Sequence, residues 1–181
     1  YYKDAPEIRV FLRREDKGLA SSILYGIKKS TGSHILVMDS DFNHKPEYIP
    51  FMIQSLNCYD FVTGSRFLYG GMMDSRSRHL LSWGFNMFVR AYSGGSITDN
   101  LYGFFVCRRE TLFCYEQYFQ WIFRGFGEYF IRLLFLLERD HVSILQFPAI
   151  NGKRLYGQGN LSFFKTLFIY LRATLTCKQI K

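Results

Sequence analysis

The run ILVMDSDFNHKPE, residues 35–47, constrains the fold more than any other stretch. Its four leading apolar residues follow a segment with helical spacing, 18–30, in which Leu19, Ile23 and Ile27 share a face with Ala20 and Leu24. Gly32 stands where a helix stop is expected. A short continuous apolar run reads as a strand buried on both faces. An earlier run, IRVFL at 8–12, completes β–α–β spacing and predicts that the two strands are parallel. The alternation continues. Pro46 and Pro50 suit the first turn of a helix, and 61–63 reads as a strand ending in Gly64-Ser65-Arg66. Residues 78–92 read as a helix and 103–107 as a strand. Residues 128–139 form a helix that is apolar almost all round and hence buried. A strand over 142–147 is closed by Pro148, and 161–175 is a last, amphipathic helix. The expected class is α/β, a mostly parallel central sheet flanked by helices. At 181 residues the chain is long enough for one such domain with a real core.

The apolar run ends in two aspartates one residue apart, Asp39 and Asp41. At ~5 Å and an effective dielectric near 20 their repulsion is about 3 kcal/mol, which a divalent cation would offset. Extended backbone points residues 39 and 41 the same way, with Asn43 following. Two carboxylates and an amide carbonyl make a hard oxygen site suited to Mg²⁺ or Mn²⁺. The alternative is helix capping by Asp41 or Asn43 near Pro46. His44 reads as a solvated loop residue rather than a ligand.

Ligands of open α/β sheets bind beyond the carboxyl ends of the strands, so other polar residues at those ends are candidates. Arg66 fits a phosphate fork or a salt bridge. Arg78, Ser82, Asn86 and Arg90 recur every four residues, as either a wet helix face or an anion-binding wall with Arg76 near its start. Leu81, Phe85, Phe88 and Tyr92 make the opposing apolar face. Asp99 is a turn residue or a carboxylate aimed into the cleft. Glu128 is a helix-start acid or a general base or hydroxyl binder. Lys153 and Arg154 lie in a glycine-bearing loop that would fold over a phosphate or stand as basic surface.

A net charge of +8 suits phosphate-bearing partners. Nucleic acid is set aside, because the basic residues are scattered and no binding motif occurs. Cys58, Cys107, Cys114 and Cys177 show no CxxC pair and no histidine at zinc spacing, so they read as reduced, mostly buried thiols. No run of 18 apolar residues is present.

Taken in order, these positions resemble the inverting nucleotide-sugar glycosyltransferases of the GT-A fold, family 2, and among them the polyprenol (dolichol) phosphate mannosyltransferase-like group. The motifs are KGLA through STG (17–32), MDSDFNHKPE (38–47), GSR (64–66), RxxxSxxxN (78–86), TDxxxGF (98–104), GFGEYFIRLL (125–134) and RxxG (154–157). The resemblance implies a nucleotide-diphosphate-binding, Rossmann-like sheet over residues 1–160 lacking its first two strands, the chain being truncated at the N-terminus. Residues 161–181 would form an amphipathic, membrane-associated helix. It implies Mg²⁺ or Mn²⁺ on Asp39, Asp41 and Asn43, and donor and acceptor phosphates on Arg66, Arg78, Ser82 and Arg154. Asp41, Asp99 and Glu128 would be the catalytic carboxylates. Donor and acceptor would be a nucleotide sugar and a polyprenyl phosphate, at the cytoplasmic face of a membrane. Two departures bear on this. A lysine usual in the closing loop is absent from 154–160, and Tyr102 stands where a small residue is usual. A sugar hydroxyl acceptor with Glu128 or Asp99 as base, and a non-catalytic domain, are the alternatives.

Overall fold

The computed structural model describes residues 7–15, 18–41, 43–73, 75–151 and 163–180. Helix α1 (Leu19–Lys29) buries Ala20, Leu24 and Ile27, residues four and three apart on one face. It ends at Ser30, whose backbone is extended and whose N–H bonds the carbonyls of Gly26 and Ile27. Gly32 is therefore not the cap. Strand β1 (His34–Val37) follows. A 3₁₀ turn (Pro46–Tyr48) leads into α2 (Ile49–Ser55), so each of the two prolines occupies a first turn. Then come β2 (Phe61–Ser65), α3 (Arg76–Ser93), β3 (Phe105–Arg108), α4 (Arg109–Phe113), α5 (Phe119–Ile122), α6 (Tyr129–Arg139), β4 (Ile144–Pro148) and α7 (Phe163–Cys177).

The sheet has the order β1-β3-β2-β4. β2 and β4 pair in parallel, while β3 is antiparallel to both β1 and β2. Three strands thus share one direction and β3 is the reversed member between two of them. Residues 8–12 do not form the expected strand. They are irregular and exposed, and no described strand offers them a ladder partner.

Side chains of β3, with Phe104 just before it, alternate between two cores. Phe105 and Cys107 join Phe61, Phe130 and the helices α1, α5 and α6, with Phe105 stacked between Phe61 (4.9 Å) and Phe130 (5.7 Å). Phe104 and Val106 join Val62, Phe147, Ala149 and α2 on the other face. Full burial of each such side chain is worth about 1.5–3 kcal/mol. Helix α6 is buried on all sides because α7 covers what the sheet does not. Ile131, Cys177 and Val89 of α3 meet there, and the Tyr92 hydroxyl donates to the Leu175 carbonyl at 3.0 Å.

Helix α3 departs from expectation. Its polar residue Asn86 faces inward at 1 % exposure beside Val89, while Leu81 (53 %) and Phe88 (38 %) of the expected core face are exposed with Leu80, Trp83 and Met87. The reason is a specific partner: Asn86 Oδ1 accepts from the Asn100 backbone N–H at 2.6 Å, and its amide donates to the Ser82 carbonyl. Two of the four thiols, Cys58 and Cys114, are exposed rather than buried.

Candidate active site

The carboxyl ends of β1 and β2 and the start of β3 converge. Beyond β1 the chain turns through Asp39-Ser40-Asp41. The Asp41 carboxylate accepts the Asn43 N–H at 3.0 Å, closing an Asx turn. It therefore does not cap the helix at Pro46, whose N-cap is Lys45 without a side-chain bond. His44 is not solvated: it is 2 % exposed, stacked on Phe104 at 4.9 Å. Its Nδ1 accepts the Asp39 N–H at 3.1 Å, so Nε2 carries the proton and donates to the Tyr102 carbonyl at 3.2 Å. Burial lowers its pKa against the opposing pull of Asp39 and Asp41, and the ring is held neutral. His44 thus ties the acidic turn to the strand entering the sheet from the other side.

Arg66, one residue past β2, forks onto Asp99: Nε to Oδ2 at 2.7 Å and Nη2 to Oδ1 at 2.8 Å. The carboxylate also accepts the backbone N–H groups of Arg66 (3.0 Å) and Leu101 (3.2 Å). Asp99 is 0 % exposed and Arg66 8 %. Burial acts to lower the arginine pKa, and the Asp99 charge and hydrogen bonds overcome it, holding the guanidinium above its usual value. The segment carrying Asp99 is fixed on three sides. Thr98 donates its N–H and hydroxyl to Gln146 of β4, each at 2.7 Å. Its hydroxyl lies 2.6 Å from Ser65 of β2, and Asn100 is held by α3.

Glu128 stands at the N-cap position of α6 without a side-chain cap bond; Oε2 accepts the preceding Phe126 N–H at 2.8 Å and Oε1 stands 3.5 Å from Arg132. Gly125 makes room for this carboxylate with φ +84°, a conformation a side chain would strain. Arg78 is exposed on the first turn of α3 and Ser82 is one turn further. Among the described residues, no hydrogen bond or ion pair joins the side chain of either to Asp39, Arg66 or Asp99. Arg154 lies outside the described residues.

Three tyrosines surround these groups, of which the sequence marked only Tyr102, as a departure from the family pattern. The Tyr129 hydroxyl donates to the Gly103 carbonyl at 3.3 Å. Tyr170 of α7 stands where the charges of Glu128 and Arg66 act on its phenol, which burial pushes up to about 12. Tyr102 lies with its ring centroid 5.5 Å from the Arg66 guanidinium. Only their apolar rings register in a hydropathy pattern, which reads them as core.

As donors for a cation, this end of the sheet offers hard oxygen from Asp39, Asp41 and Asn43. Among the described residues no cluster of three or more His, Cys, Asp or Glu side chains could hold a metal by itself. By the chemistry of its donors the set suits Mg²⁺ or Mn²⁺.

A sequence model of glycosyl transferase family 2 matches residues 1–115. A dolichol-phosphate mannosyltransferase of Pyrococcus furiosus is 32% identical over 170 residues, 91% of this chain and 46% of that protein. One from Mycosarcoma maydis is 28% identical over 172 residues, with 91% and 55% covered. An undecaprenyl-phosphate mannosyltransferase of Micrococcus luteus is 32% identical over 112 residues, with 59% and 46% covered. The chain spans about half the length of the curated relatives it matches. Among solved structures, glucosyl-3-phosphoglycerate synthase from Mycobacterium tuberculosis with phosphoglyceric acid superposes with a TM-score of 0.63 at 17% identity, covering 99% of this chain and 60% of that one. The same enzyme with Mn²⁺, UDP-glucose and glycerol 3-phosphate gives 0.59 at 19% identity, over 97% and 58%. That likeness establishes the GT-A type of α/β fold. With the family match covering well over half its length, the chain belongs to glycosyl transferase family 2.

Proposed function

We propose that this chain carries the metal- and phosphate-handling part of an enzyme that transfers a sugar from a nucleotide-diphosphate donor to a polyprenyl phosphate. The observation that carries this reading is the state of the two carboxylates that would otherwise serve as bases. Asp99 has both oxygens committed to Arg66 and backbone N–H groups, and Glu128 is bonded to Phe126 N–H beside Arg132. Neither is free to take a proton from a sugar hydroxyl. A phosphate acceptor needs no base, since it is already anionic.

In a single inverting displacement an acceptor phosphate oxygen bonds to the anomeric carbon as the bond to the donor diphosphate breaks. The departing nucleoside diphosphate keeps the electron pair. Asp39, Asp41 and Asn43 would hold a Mg²⁺ or Mn²⁺, which supplies positive charge to the leaving group when bound. Arg66 is held in place by Asp99, and its Nη1 makes no hydrogen bond within the described residues, leaving a charged donor for a phosphate oxygen. On this reading Asp99 is the orienting partner of Arg66 and not a base. Arg78, Ser82 and Arg154 are assigned to the acceptor side.

A lipid acceptor calls for a membrane surface. The outward side of α3 presents Leu80, Leu81, Trp83, Met87 and Phe88, and α7 adds Phe168 and Leu175. These faces support a peripheral position on the cytoplasmic side of a membrane, with α7 as the amphipathic element. Among the described residues no helix is long and apolar enough to cross a membrane.

The test uses the full-length protein with Mn²⁺, GDP-mannose or UDP-glucose, and either polyprenyl phosphate or a neutral glycoside acceptor. Transfer to the phosphate that stops with EDTA, and falls at least a thousandfold in Asp39→Ala and Asp41→Ala, is expected. Metal-dependent transfer surviving either substitution rejects the site. Transfer only to the glycoside rejects the acceptor.

A further inference from the structure

Two buried side-chain polar atoms of the described residues have no hydrogen-bond partner, Arg90 Nε and the Tyr102 hydroxyl. The second sits beside Arg66 and His44. The Tyr102 ring is closely seated. It rests on Gly64 of β2, where an added Cβ would collide with the ring's Cε1 and come within 2.8 Å of both Cδ1 and the Ala149 Cβ. The His44 ring meets it edge-on at 4.7 Å, and the Arg66 guanidinium faces it. A phenylalanine would make every one of these contacts. The hydroxyl adds only an unsatisfied polar atom, which lowers stability unless something outside the free protein satisfies it.

Its surroundings indicate what that partner is. The phenol lies where the charges of Arg66, Asp99 and Asp39 act on it, between the acidic turn and the arginine clamp. Burial raises its pKa far above neutrality, so it is a hydrogen-bond donor only when an acceptor arrives. The main chain on either side is fixed, by His44 at the Tyr102 carbonyl and by Tyr129 at the Gly103 carbonyl. The phenol is thus anchored at its backbone and around its ring, while its buried hydroxyl has no partner.

We infer that Tyr102 is a donor-binding residue whose hydroxyl donates to a diphosphate oxygen lying between Asp39 and Arg66, a placement that rests on reading this cleft as the donor site. A negatively charged acceptor suits the position because Arg66 already supplies positive charge across the ring. The bond forms only in the complex, so the free enzyme carries the unsatisfied group and the bound one does not.

The test compares full-length wild type with Tyr102→Phe, which keeps the packing and removes only the hydroxyl. Without ligand, the variant is expected to melt at or above the wild-type temperature. With Mn²⁺ present, its affinity for inorganic pyrophosphate, GDP and UDP should fall about tenfold or more, the loss expected for a hydrogen bond to a charged group. The KM for the nucleotide sugar should rise by a similar factor. Unchanged pyrophosphate and nucleotide affinity in Tyr102→Phe overturns the assignment while leaving the donor site standing. A ligand-free variant melting several degrees below wild type also overturns it, since the hydroxyl would then have an internal partner. Wild type that binds neither pyrophosphate nor nucleotide with Mn²⁺ removes the donor site and the assignment together.

Discussion

Replacing Asp99 by Asn tests whether that carboxylate clamps Arg66 or acts as a base. The native carboxylate accepts four hydrogen bonds, two on each oxygen: Arg66 N and Nε on Oδ2, Arg66 Nη2 and Leu101 N on Oδ1. An asparagine keeps one acceptor oxygen and turns an NH₂ toward the other pair of donors, so at least two bonds are lost in either orientation. Arg66, 8 % exposed, is also left with a buried and unpaired charge. Breaking one side of such a pair costs about 3–5 kcal/mol. For a chain of this length, at roughly 2–4 °C per kcal/mol, the melting temperature should fall by about 6–20 °C. Urea denaturation followed by circular dichroism measures the free-energy loss directly. The double variant Arg66→Met/Asp99→Asn removes the stranded charge and should regain at least half of the lost stability without regaining activity. A base would behave otherwise: Asp99→Asn would lose turnover at nearly unchanged stability. A stability loss below about 1 kcal/mol, or a double variant no more stable than Asp99→Asn, refutes the clamp.

Three further outcomes follow from the same geometry. His44→Ala removes a buried ring and its bonds to Asp39 N–H and the Tyr102 carbonyl, and should destabilise by about 2–4 kcal/mol; a shift in the urea midpoint equivalent to under 1 kcal/mol would show that the ring does not tie the acidic turn. Gly64→Ala drives a methyl into the Tyr102 ring and Ala149, an overpacking of about 1–3 kcal/mol. Adding Tyr102→Leu should relieve part of it, and strict additivity of the two substitutions would argue against the contact. In native protein at pH 8, iodoacetamide should modify Cys58 and Cys114 only, with four adducts in urea. Burial pushes Cys107 and Cys177 up to about 12, leaving roughly one part in 10⁴ as thiolate. A third rapid adduct in the native state, read by mass spectrometry, contradicts their burial.

What the sequence disclosed was local. Helix α1 is visible because Ala20, Leu24 and Ile27 repeat at the helical period, and β1 because four apolar residues stand together before two aspartates. The direction of β3 was not visible: its residues are apolar in continuous sequence, as they would be in a parallel strand, and reversal depends on where the preceding chain enters. Residues 8–12 have the composition of a strand but no partner among those described, and pairing decides a strand. The inward turn of Asn86 was hidden for a similar reason. An amide on a helix reads as solvated until the backbone N–H it satisfies, that of Asn100, is known. His44 looked like a loop histidine because both of its hydrogen-bond partners and the Phe104 ring that stacks on it are set by the fold, two of them about sixty residues away.

The cleft residues share a physical logic that separates them from the core. Arg66 is carried on the residue after a central strand, and its counter-ion stands on a segment fastened to β2, β4 and α3. A buried ion pair is weak evidence for stability, since its desolvation penalty offsets much of its attraction. Its use here lies in preorganisation. The guanidinium has two of its three nitrogens fixed by Asp99, so on the proposed reading it is already in place when a diphosphate approaches. Little reorganisation is then required as negative charge develops on the leaving group, which is the condition under which a fixed charge accelerates a reaction most. The acidic turn is held the same way, by a neutral imidazole that bonds the Asp39 backbone N–H. On the proposed reading both halves of the site are positioned by supporting groups, Asp99 and His44, and removal of either support should lower stability and turnover together.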